Sequence, residues 1–177
     1  MKRIFLTGYM GSGKTTLGSC LMELTGLSFI DLDMFIEKRF HKTIRQLFDE
    51  RGEDGFREVE KRMLHEVAEF EDVIISTGGG TPCFFDNKAF MKSCGTTVYL
   101  RVSVAELTAR LEVSKHTRPV LKNRSGEELK EFISNNLATR LPYYEQADII
   151  FDTDTMNTRE EVRQLSKRLC EIISLDS

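Results

Sequence analysis

Short hydrophobic runs alternate with longer amphipathic segments along the chain. The short runs have the length of strands buried on both faces, and they cover residues 3–7, 29–32, 73–76, 97–100 and 148–151. Between them, apolar side chains recur every three or four residues, as on one face of a helix. The clearest groups are Leu17, Leu21, Met22 and Leu24, then Phe56, Val59, Met63, Leu64, Val67 and Phe70, then Leu129, Phe132, Ile133 and Leu137, and finally Val162, Leu165, Leu169, Ile172 and Ile173. This alternation predicts right-handed β-α-β crossovers and a parallel sheet with helices on both faces, which is a three-layer α/β fold.

The composition fits one folded domain over residues 1–177. Of the 177 residues, 40% are hydrophobic and 30% are charged, and these values are typical of globular domains and not of disordered chains. No apolar run reaches the roughly 18 residues of a membrane span or resembles a signal peptide, so we predict a cytoplasmic protein without membrane association. The net charge of −3 disfavours a nucleic-acid partner. The four cysteines lack metal-binding spacing and are expected to be reduced thiols.

Residues 8–15, GYMGSGKT, match the phosphate-binding pattern G-x-x-x-x-G-K-[ST]. They lie between a predicted strand and a predicted helix, as that pattern requires. Glycines let backbone N–H groups converge on a phosphate, and the start of the helix adds a partial positive charge. Lys14 can reach the β- and γ-phosphates, and the Thr15 hydroxyl can bind Mg²⁺. The loop therefore predicts binding of ATP or GTP, and the alternative is a glycine-rich turn with one exposed lysine.

The end of the third predicted strand bears on the class of nucleotide-binding protein. Motors and switches usually hold Mg²⁺ with an aspartate at the end of an apolar strand. Here residues 73–76 are followed by Thr77 and by Gly78, Gly79 and Gly80. These glycines leave room for a ligand and expose backbone amides, but they offer no carboxylate to a metal.

Two carboxylates follow the second predicted strand, in the segment Asp31-Leu32-Asp33. If the strand continues through this segment, alternation places both carboxylates on one side, at the sheet edge where ligands bind. One carboxylate near Mg²⁺ and one near an acceptor hydroxyl would suit phosphoryl transfer. The alternative is that an aspartate here caps the helix that begins near Met34.

Three arginines are candidates for anion binding. Arg57 and Glu60 lie three residues apart on one predicted helix face, where an exposed ion pair is the alternative. Arg118 lies in a basic loop of about residues 113–126, which could close over a phosphate site as a lid or could simply be solvated. Arg140 comes near the end of a helix that a proline two residues later is expected to stop, so it could instead interact with the helix dipole.

Together and in this order, these residues closely resemble the motifs of the shikimate kinase family. The matching positions are Gly8 to Thr15, Asp31 and Asp33, Phe56-Arg57 with Glu60, Gly78-Gly79-Gly80, Arg118-Pro119, and Arg140 with Pro142 and Tyr144. The resemblance runs from the first predicted strand to the fifth. It implies the layout of the nucleoside monophosphate kinases, with sheet order 2-3-1-4-5, a substrate-binding region at about 32–62, a lid at about 113–126, and a monomeric state.

The resemblance also implies ATP and Mg²⁺ as cofactors. The positions that would bind the nucleotide are Gly11, Ser12, Gly13, Lys14, Thr15, Thr16, Arg110 and Arg118. Among these, Arg110 would stack on the adenine, and Arg118 would reach the γ-phosphate from the lid. Thr15 would bind Mg²⁺ directly, and Asp31 would bind it through water.

The acceptor implied by the resemblance is shikimate, a small cyclic acid with one carboxylate and three hydroxyls. The positions that would bind it are Asp33, Arg57, Glu60, Gly78, Gly79, Gly80 and Arg140. Arg57 and Arg140 would bind the carboxylate, which suits a planar guanidinium, and Glu60 would orient Arg57. Asp33 would bind ring hydroxyls and accept the proton of the 3-hydroxyl, so Lys14, Asp33 and Arg118 are the expected catalytic residues. Phe48 and Phe56 either line the ring site or belong to the core.

Two other functions compete with shikimate phosphorylation. One is a kinase of the same scaffold that acts on gluconate or on a nucleoside monophosphate. Arg57, Arg140 and the three glycines disfavour it, because they prepare a compact carboxylate site. The other is a regulator that binds ATP without passing its phosphoryl group to a metabolite, and the missing strand-end aspartate and the short chain disfavour this function.

Overall fold

Five parallel strands form the centre of the fold in a computed structural model that describes residues 2–114 and 121–174. The strands are β1 (Arg3–Thr7), β2 (Ser28–Asp31), β3 (Val73–Ser76), β4 (Thr96–Arg101) and β5 (Ile149–Asp152). The helices are α1 (Lys14–Thr25), α2 (Leu32–Phe40), α3 (Ile44–Val67), α4 (Asn87–Cys94), α5 (Val104–Ser114), α6 (Gly126–Tyr144) and α7 (Arg159–Ile172), and a short 3₁₀ turn spans Thr81–Cys83. No helix within the described ranges has the length and apolar character needed to cross a bilayer.

The strand order is β2-β3-β1-β4-β5, which confirms the order and the parallel orientation expected from the sequence. From β1 the chain crosses past β3 to the edge strand β2, and after β3 it crosses to the other side of β1. The carboxyl ends of β1, β2 and β3 therefore lie beside one another where the connections change direction. In open α/β sheets this is the place where ligands bind.

Alternating side chains of the strands divide the core between the two faces of the sheet. Phe5 and Ile75 pack against α2, α3 and α4, whereas Ile4, Leu6 and Ile74 pack against α1 and α7. A third buried cluster joins α5 and α6 to β4, where the rings of Tyr99 and Tyr144 stack with centroids 5.0 Å apart. Both faces are thus covered by helices, which confirms the three-layer arrangement.

The second strand is shorter than the sequence pattern predicts. Strand β2 ends at Asp31, whose side chain accepts a hydrogen bond from the backbone N–H of Met34 at 3.1 Å and so caps α2. Leu32 is already helical and fully buried. The expected alternation of Asp31, Leu32 and Asp33 on a strand is therefore wrong, because the cap at Asp31 turns the chain into a helix one residue later.

Two helices also differ from expectation. Pro142 does not stop α6, which continues to Tyr144, because a proline in the last turn removes one backbone donor without blocking the turns before it. Helix α3 begins at Ile44, well before Phe56, and is interrupted at Gly52, where φ is 68° and ψ is −179°. That conformation is essentially restricted to glycine, and it divides α3 into a segment that carries Phe48 and a segment that carries Arg57.

Candidate active site

A cleft of about 780 Å³ opens at the carboxyl ends of β1, β2 and β3. Its lining residues come from the phosphate-binding loop and α1, from α2, from the segment after β3, and from α5 and the β5–α7 connection. They are Met10, Gly11, Gly13, Lys14, Thr15, Thr16, Asp31, Asp33, Met34, Glu37, Ser76, Thr77, Gly78, Gly79, Arg110 and Met156. Lys14 was expected to contact the nucleotide and Asp33 the acceptor, and both line this one cavity.

The loop between β1 and α1 has the geometry of an anion site. Gly11 and Gly13 have φ values of 81° and 92°, a region that favours glycine. Gly13 precedes α1 as its N-cap, and since glycine has no side chain, this position makes no side-chain capping bond to the first amides of α1. The ammonium of Lys14 donates to the carbonyls of Gly8 at 2.8 Å and Tyr9 at 3.0 Å, which folds the lysine back over the loop.

Thr15 and Asp31 face each other across the base of the cleft. The Thr15 hydroxyl donates to Asp31 Oδ2 at 3.0 Å, while the other oxygen of Asp31 caps α2. A hydroxyl next to a carboxylate is the oxygen donor set that Mg²⁺ prefers beside phosphates. Within the described ranges no group of three or more His, Cys, Asp or Glu side chains is gathered as a metal site.

Asp33 lies in the first turn of α2 and is the most strongly perturbed carboxyl of the cleft. Its pKa is raised to about 6, chiefly because burial disfavours the charged form and also because the carboxylates of Asp31 and Glu60 lie nearby, while the Lys14 ammonium lowers the pKa. The group therefore changes charge close to neutral pH. A carboxyl with this pKa can accept a proton from a hydroxyl and release it again.

Arg57 and Glu60 form a buried ion pair. Arg57 Nη1 lies 2.8 Å from Glu60 Oε2, and the two residues are 8% and 1% exposed. The surface pair considered as an alternative is therefore wrong. Arg57 Nε is also buried and has no hydrogen-bond partner among residues 2–114 and 121–174. An unpaired guanidinium donor in a buried position makes Arg57 a candidate to bind an acceptor group.

The three glycines after β3 give these side chains room. A Cβ atom at Gly80 would lie 2.6 Å from Arg57 Nη2, and one at Gly79 would lie 3.1 Å from Arg140 Nη1. A Cβ atom at Gly78 would lie 2.9 Å from Glu60 Oε1 and 3.1 Å from Asp33 Oδ1. The glycine segment is therefore the surface on which both arginines, Glu60 and Asp33 converge.

Comparison with known protein families assigns the chain to one of them. The profile described as "Shikimate kinase" matches residues 10–170. The chain belongs to the shikimate kinase family. A shikimate kinase from Parabacteroides distasonis is 62% identical over 173 residues, covering 98% of this chain and 100% of the relative.

Solved shikimate kinases have the same fold. The crystal structure of the enzyme from Bacteroides thetaiotaomicron superposes with a TM-score of 0.96 at 52% identity, covering 98% of this chain and 99% of the other. The enzyme from Acinetobacter baumannii, solved in complex with shikimate, gives a TM-score of 0.85 at 32% identity, covering 98% and 93%. The five-stranded sheet thus has the architecture of shikimate kinases.

Arg110 lines the cleft and ties two of its walls together. Its guanidinium donates to the Gly11 carbonyl at 3.3 Å, to the Thr153 carbonyl at 2.5 Å and to Glu106 at 2.8 Å. It thereby links the phosphate-binding loop to the segment after β5, and its expected stacking on adenine stays a prediction. The other arginine expected at the nucleotide, Arg118, lies outside the described residues.

Phe48 and Phe56 stack with ring centroids 4.3 Å apart, and they have different surroundings. Phe56 is 2% exposed and belongs to the core between the sheet and α3. Phe48 is partly exposed, and its ring centroid lies 5.7 Å from the guanidinium carbon of Arg57. Phe56 is thus a core residue, and Phe48 stays a candidate wall of the acceptor site.

Sequence reasoning missed several residues that support this shikimate kinase site. Tyr144 donates its hydroxyl to the Gly79 carbonyl, and Arg140 lies over the ring of Tyr9, 5.5 Å from its centroid. The Phe84 ring centroid lies 4.1 Å from the Arg57 guanidinium carbon, and the Thr81 hydroxyl donates to Glu60. The Arg140, Pro142 and Tyr144 motif includes one of these residues, but nothing in the spacing along the chain indicates the other contacts.

Proposed function

We propose that this chain transfers the γ-phosphoryl group of ATP to the 3-hydroxyl of shikimate, giving shikimate 3-phosphate and ADP. The observation that carries the proposal is that one cleft contains Lys14 of the phosphate-binding loop and Asp33, whose carboxyl shares the Gly78–Gly80 surface with Arg57 and Arg140. A triphosphate and a small carboxylated acceptor could therefore meet at one sheet edge. Residues 1–177 would act as one catalytic unit.

The carboxylate of the acceptor would bind to Arg57 and Arg140. The buried, unpartnered Nε of Arg57 supports this assignment, because a carboxylate can accept from two guanidinium nitrogens at once. Glu60 would hold Arg57 in place from behind. Backbone amides of Gly78, Gly79 and Gly80 would add donors without a side chain in the way.

The nucleotide would bind along the loop of residues 8–15 and the start of α1. Lys14 would leave the carbonyls of Gly8 and Tyr9 and turn to the β- and γ-phosphates. Thr15 and Asp31 would hold Mg²⁺, which supplies positive charge next to the phosphates when it is bound. Arg110 would contact the adenine, and Arg118 would act on the γ-phosphate.

Asp33 would act as the proton acceptor. As the 3-hydroxyl oxygen bonds to the γ-phosphorus, the bond from that phosphorus to the ADP oxygen breaks and the hydroxyl proton passes to the Asp33 carboxylate. The pKa of about 6 suits this step, because the group is mostly ionised at neutral pH but still basic enough to take the proton. The rest of the catalysis would come from positioning and charge stabilisation.

The assay of choice couples ADP release to a spectroscopic signal with shikimate, shikimate methyl ester, gluconate and a nucleoside monophosphate as acceptors. Of these four acceptors, we expect only shikimate to be turned over. We expect EDTA to abolish this turnover and added Mg²⁺ to restore it. Lys14→Ala should abolish transfer, while Lys130→Ala, at an exposed position of α6, should not change it.

Comparable turnover on gluconate or on a nucleotide would contradict the proposal in favour of another kinase. Slow ATP hydrolysis that shikimate does not stimulate would contradict it in favour of a nucleotide-binding regulator. Analytical ultracentrifugation tests the accompanying prediction of a monomer, and cell fractionation tests the predicted cytoplasmic location.

A further inference from the structure

Behind the Arg57–Glu60 pair lies a second polar contact that the proposed mechanism does not use. The Thr81 hydroxyl donates to Glu60 Oε1 at 2.6 Å, while Glu60 Oε2 accepts from Arg57 Nη1 at 2.8 Å. The two oxygens of one buried carboxylate are thus held from opposite sides. Thr81 is 0% exposed, so its hydroxyl is not in contact with bulk solvent.

Thr81 is itself held firmly against the glycine segment. Its backbone N–H donates to the Gly78 carbonyl at 3.1 Å, and its carbonyl accepts from Asn87 Nδ2 at 3.0 Å. A Cβ atom at Gly78 would lie 3.0 Å from the Thr81 hydroxyl oxygen and 2.9 Å from Glu60 Oε1. The hydroxyl is therefore fixed to the same turn that borders the acceptor site.

From this geometry we infer that Thr81 is a positioning residue for shikimate, acting on Arg57 through Glu60. The inference rests on the proposed function. A carboxylate held at one oxygen alone can rotate about its Cγ–Cδ bond and take the guanidinium with it. The Thr81 hydroxyl opposes this rotation, because it holds Glu60 Oε1 while Glu60 Oε2 holds Arg57 Nη1, and it thereby fixes the guanidinium that would meet the acceptor.

The test compares Thr81→Val, which removes the hydroxyl and keeps the branched shape, with Thr81→Ser, which keeps the hydroxyl. We expect Thr81→Val to raise the KM for shikimate about tenfold, the size of effect that follows from one unsatisfied buried acceptor, with kcat and the KM for ATP within about twofold of wild type. Thr81→Ser should have a shikimate KM close to that of the wild type. If valine is not accommodated, Thr81→Ala gives the same comparison.

Thr97→Val is the matched control for a merely structural role. The buried Thr97 hydroxyl also donates to a carboxylate, Asp148 Oδ2 at 2.7 Å, and Thr97 does not line the cleft. Its loss should lower Tm and leave the shikimate KM unchanged. The inference fails if Thr81→Val behaves as Thr97→Val does.

A double-mutant comparison tests the route through Glu60. In a Glu60→Ala background, Thr81→Val should change the shikimate KM by no more than about twofold, because the side chain through which Thr81 acts is gone. An undiminished tenfold effect there would contradict the inference. Absence of shikimate turnover in the wild-type protein would contradict the proposed function, whereas normal wild-type turnover with an unchanged KM in Thr81→Val contradicts this inference alone.

Discussion

At the scale of single residues, Asp33 has the surroundings that the proposed proton transfer needs. Sequence spacing alone left a helix cap as its alternative role, but the cap of α2 is Asp31. Asp33 does not make that contact; it is partly buried and lies near the carboxylates of Asp31 and Glu60, and this is why its pKa rises to about 6. One segment of three residues thus holds two aspartates in different surroundings, of which Asp31 caps α2 and Asp33 has a raised pKa.

The pKa of Asp33 predicts the pH dependence of the reaction. Below about pH 6, kcat/KM for shikimate should fall about tenfold per pH unit, because the protonated carboxyl cannot accept a proton. The measurement is a pH–rate profile of the wild-type protein from about pH 5 to about pH 8, a range that brackets this pKa. A profile without an acid limb near pH 6 would contradict the role of Asp33.

The same pKa can be checked without turnover. It lies above the usual value of 3.8, so the folded state favours the protonated carboxyl, and this contribution to stability is complete below about pH 4 and is lost as the pH rises through about 6. Asp33→Asn cannot ionise and should therefore raise Tm relative to wild type by more at a pH of about 8 than at a pH of about 4.5. An equal change in Tm at both pH values would show that the carboxyl is not perturbed.

At the scale of secondary-structure elements, the segment between β3 and α4 is the backbone on which the proposed acceptor site is built. Gly78–Gly80 have no side chains of their own, so Arg57, Arg140, Glu60 and Asp33 can all approach this one stretch of backbone. Gly80 has φ −88° and ψ −15°, a conformation open to any residue. The requirement for glycine at this position therefore comes from the neighbouring Arg57 and not from the backbone.

Gly80→Ala should weaken the acceptor site with little cost to the backbone. The three nearest heavy atoms to its new Cβ would all belong to the Arg57 guanidinium, so the guanidinium must move. Overpacking of this kind costs about 1–3 kcal/mol, and we expect the shikimate KM to rise at least about fivefold while the KM for ATP stays the same.

Gly26→Ala provides the opposite pattern. Gly26 ends α1 with φ 71° and has no heavy atom within 4 Å of a Cβ, so alanine there strains the backbone alone. We expect a lower Tm with an unchanged shikimate KM. If both variants change only Tm, the contact between Gly80 and Arg57 has no part in acceptor binding.

At the scale of the whole molecule, local patterns predicted most of the fold, and they failed at one short helix and at two element ends. Strands β1 and β3 have the predicted bounds, because each is a short apolar run with clear turn residues after it. The eight-residue helix α4 was not predicted, since its length allows only two turns of periodic signal. The ends of β2 and α6 were misplaced, because a cap at Asp31 and a tolerated Pro142 override the local pattern.

In the candidate site, too, some features could be predicted from local sequence and others depend on the folded structure. The phosphate-binding loop is contiguous in sequence and could be located from its spacing alone. Arg57 and Glu60 could be paired by their spacing, but whether the pair is exposed or buried depends on the packing of α3 against the glycine segment. The contacts of Thr81 with Glu60 and of Tyr144 with Gly79 join positions 21 and 65 residues apart, so no local pattern could indicate them.

We propose above all that the buried Arg57 binds the carboxylate of shikimate next to the proposed nucleotide cleft. The most direct test is calorimetric titration of shikimate into the wild-type protein, into Arg57→Ala and into Arg45→Ala, whose side chain is 72% exposed on the same helix. We predict one shikimate site in the wild type, unchanged affinity in Arg45→Ala, and affinity at least about 30-fold weaker in Arg57→Ala, or roughly 2 kcal/mol. Equal affinity of Arg57→Ala and the wild type for shikimate would contradict the account.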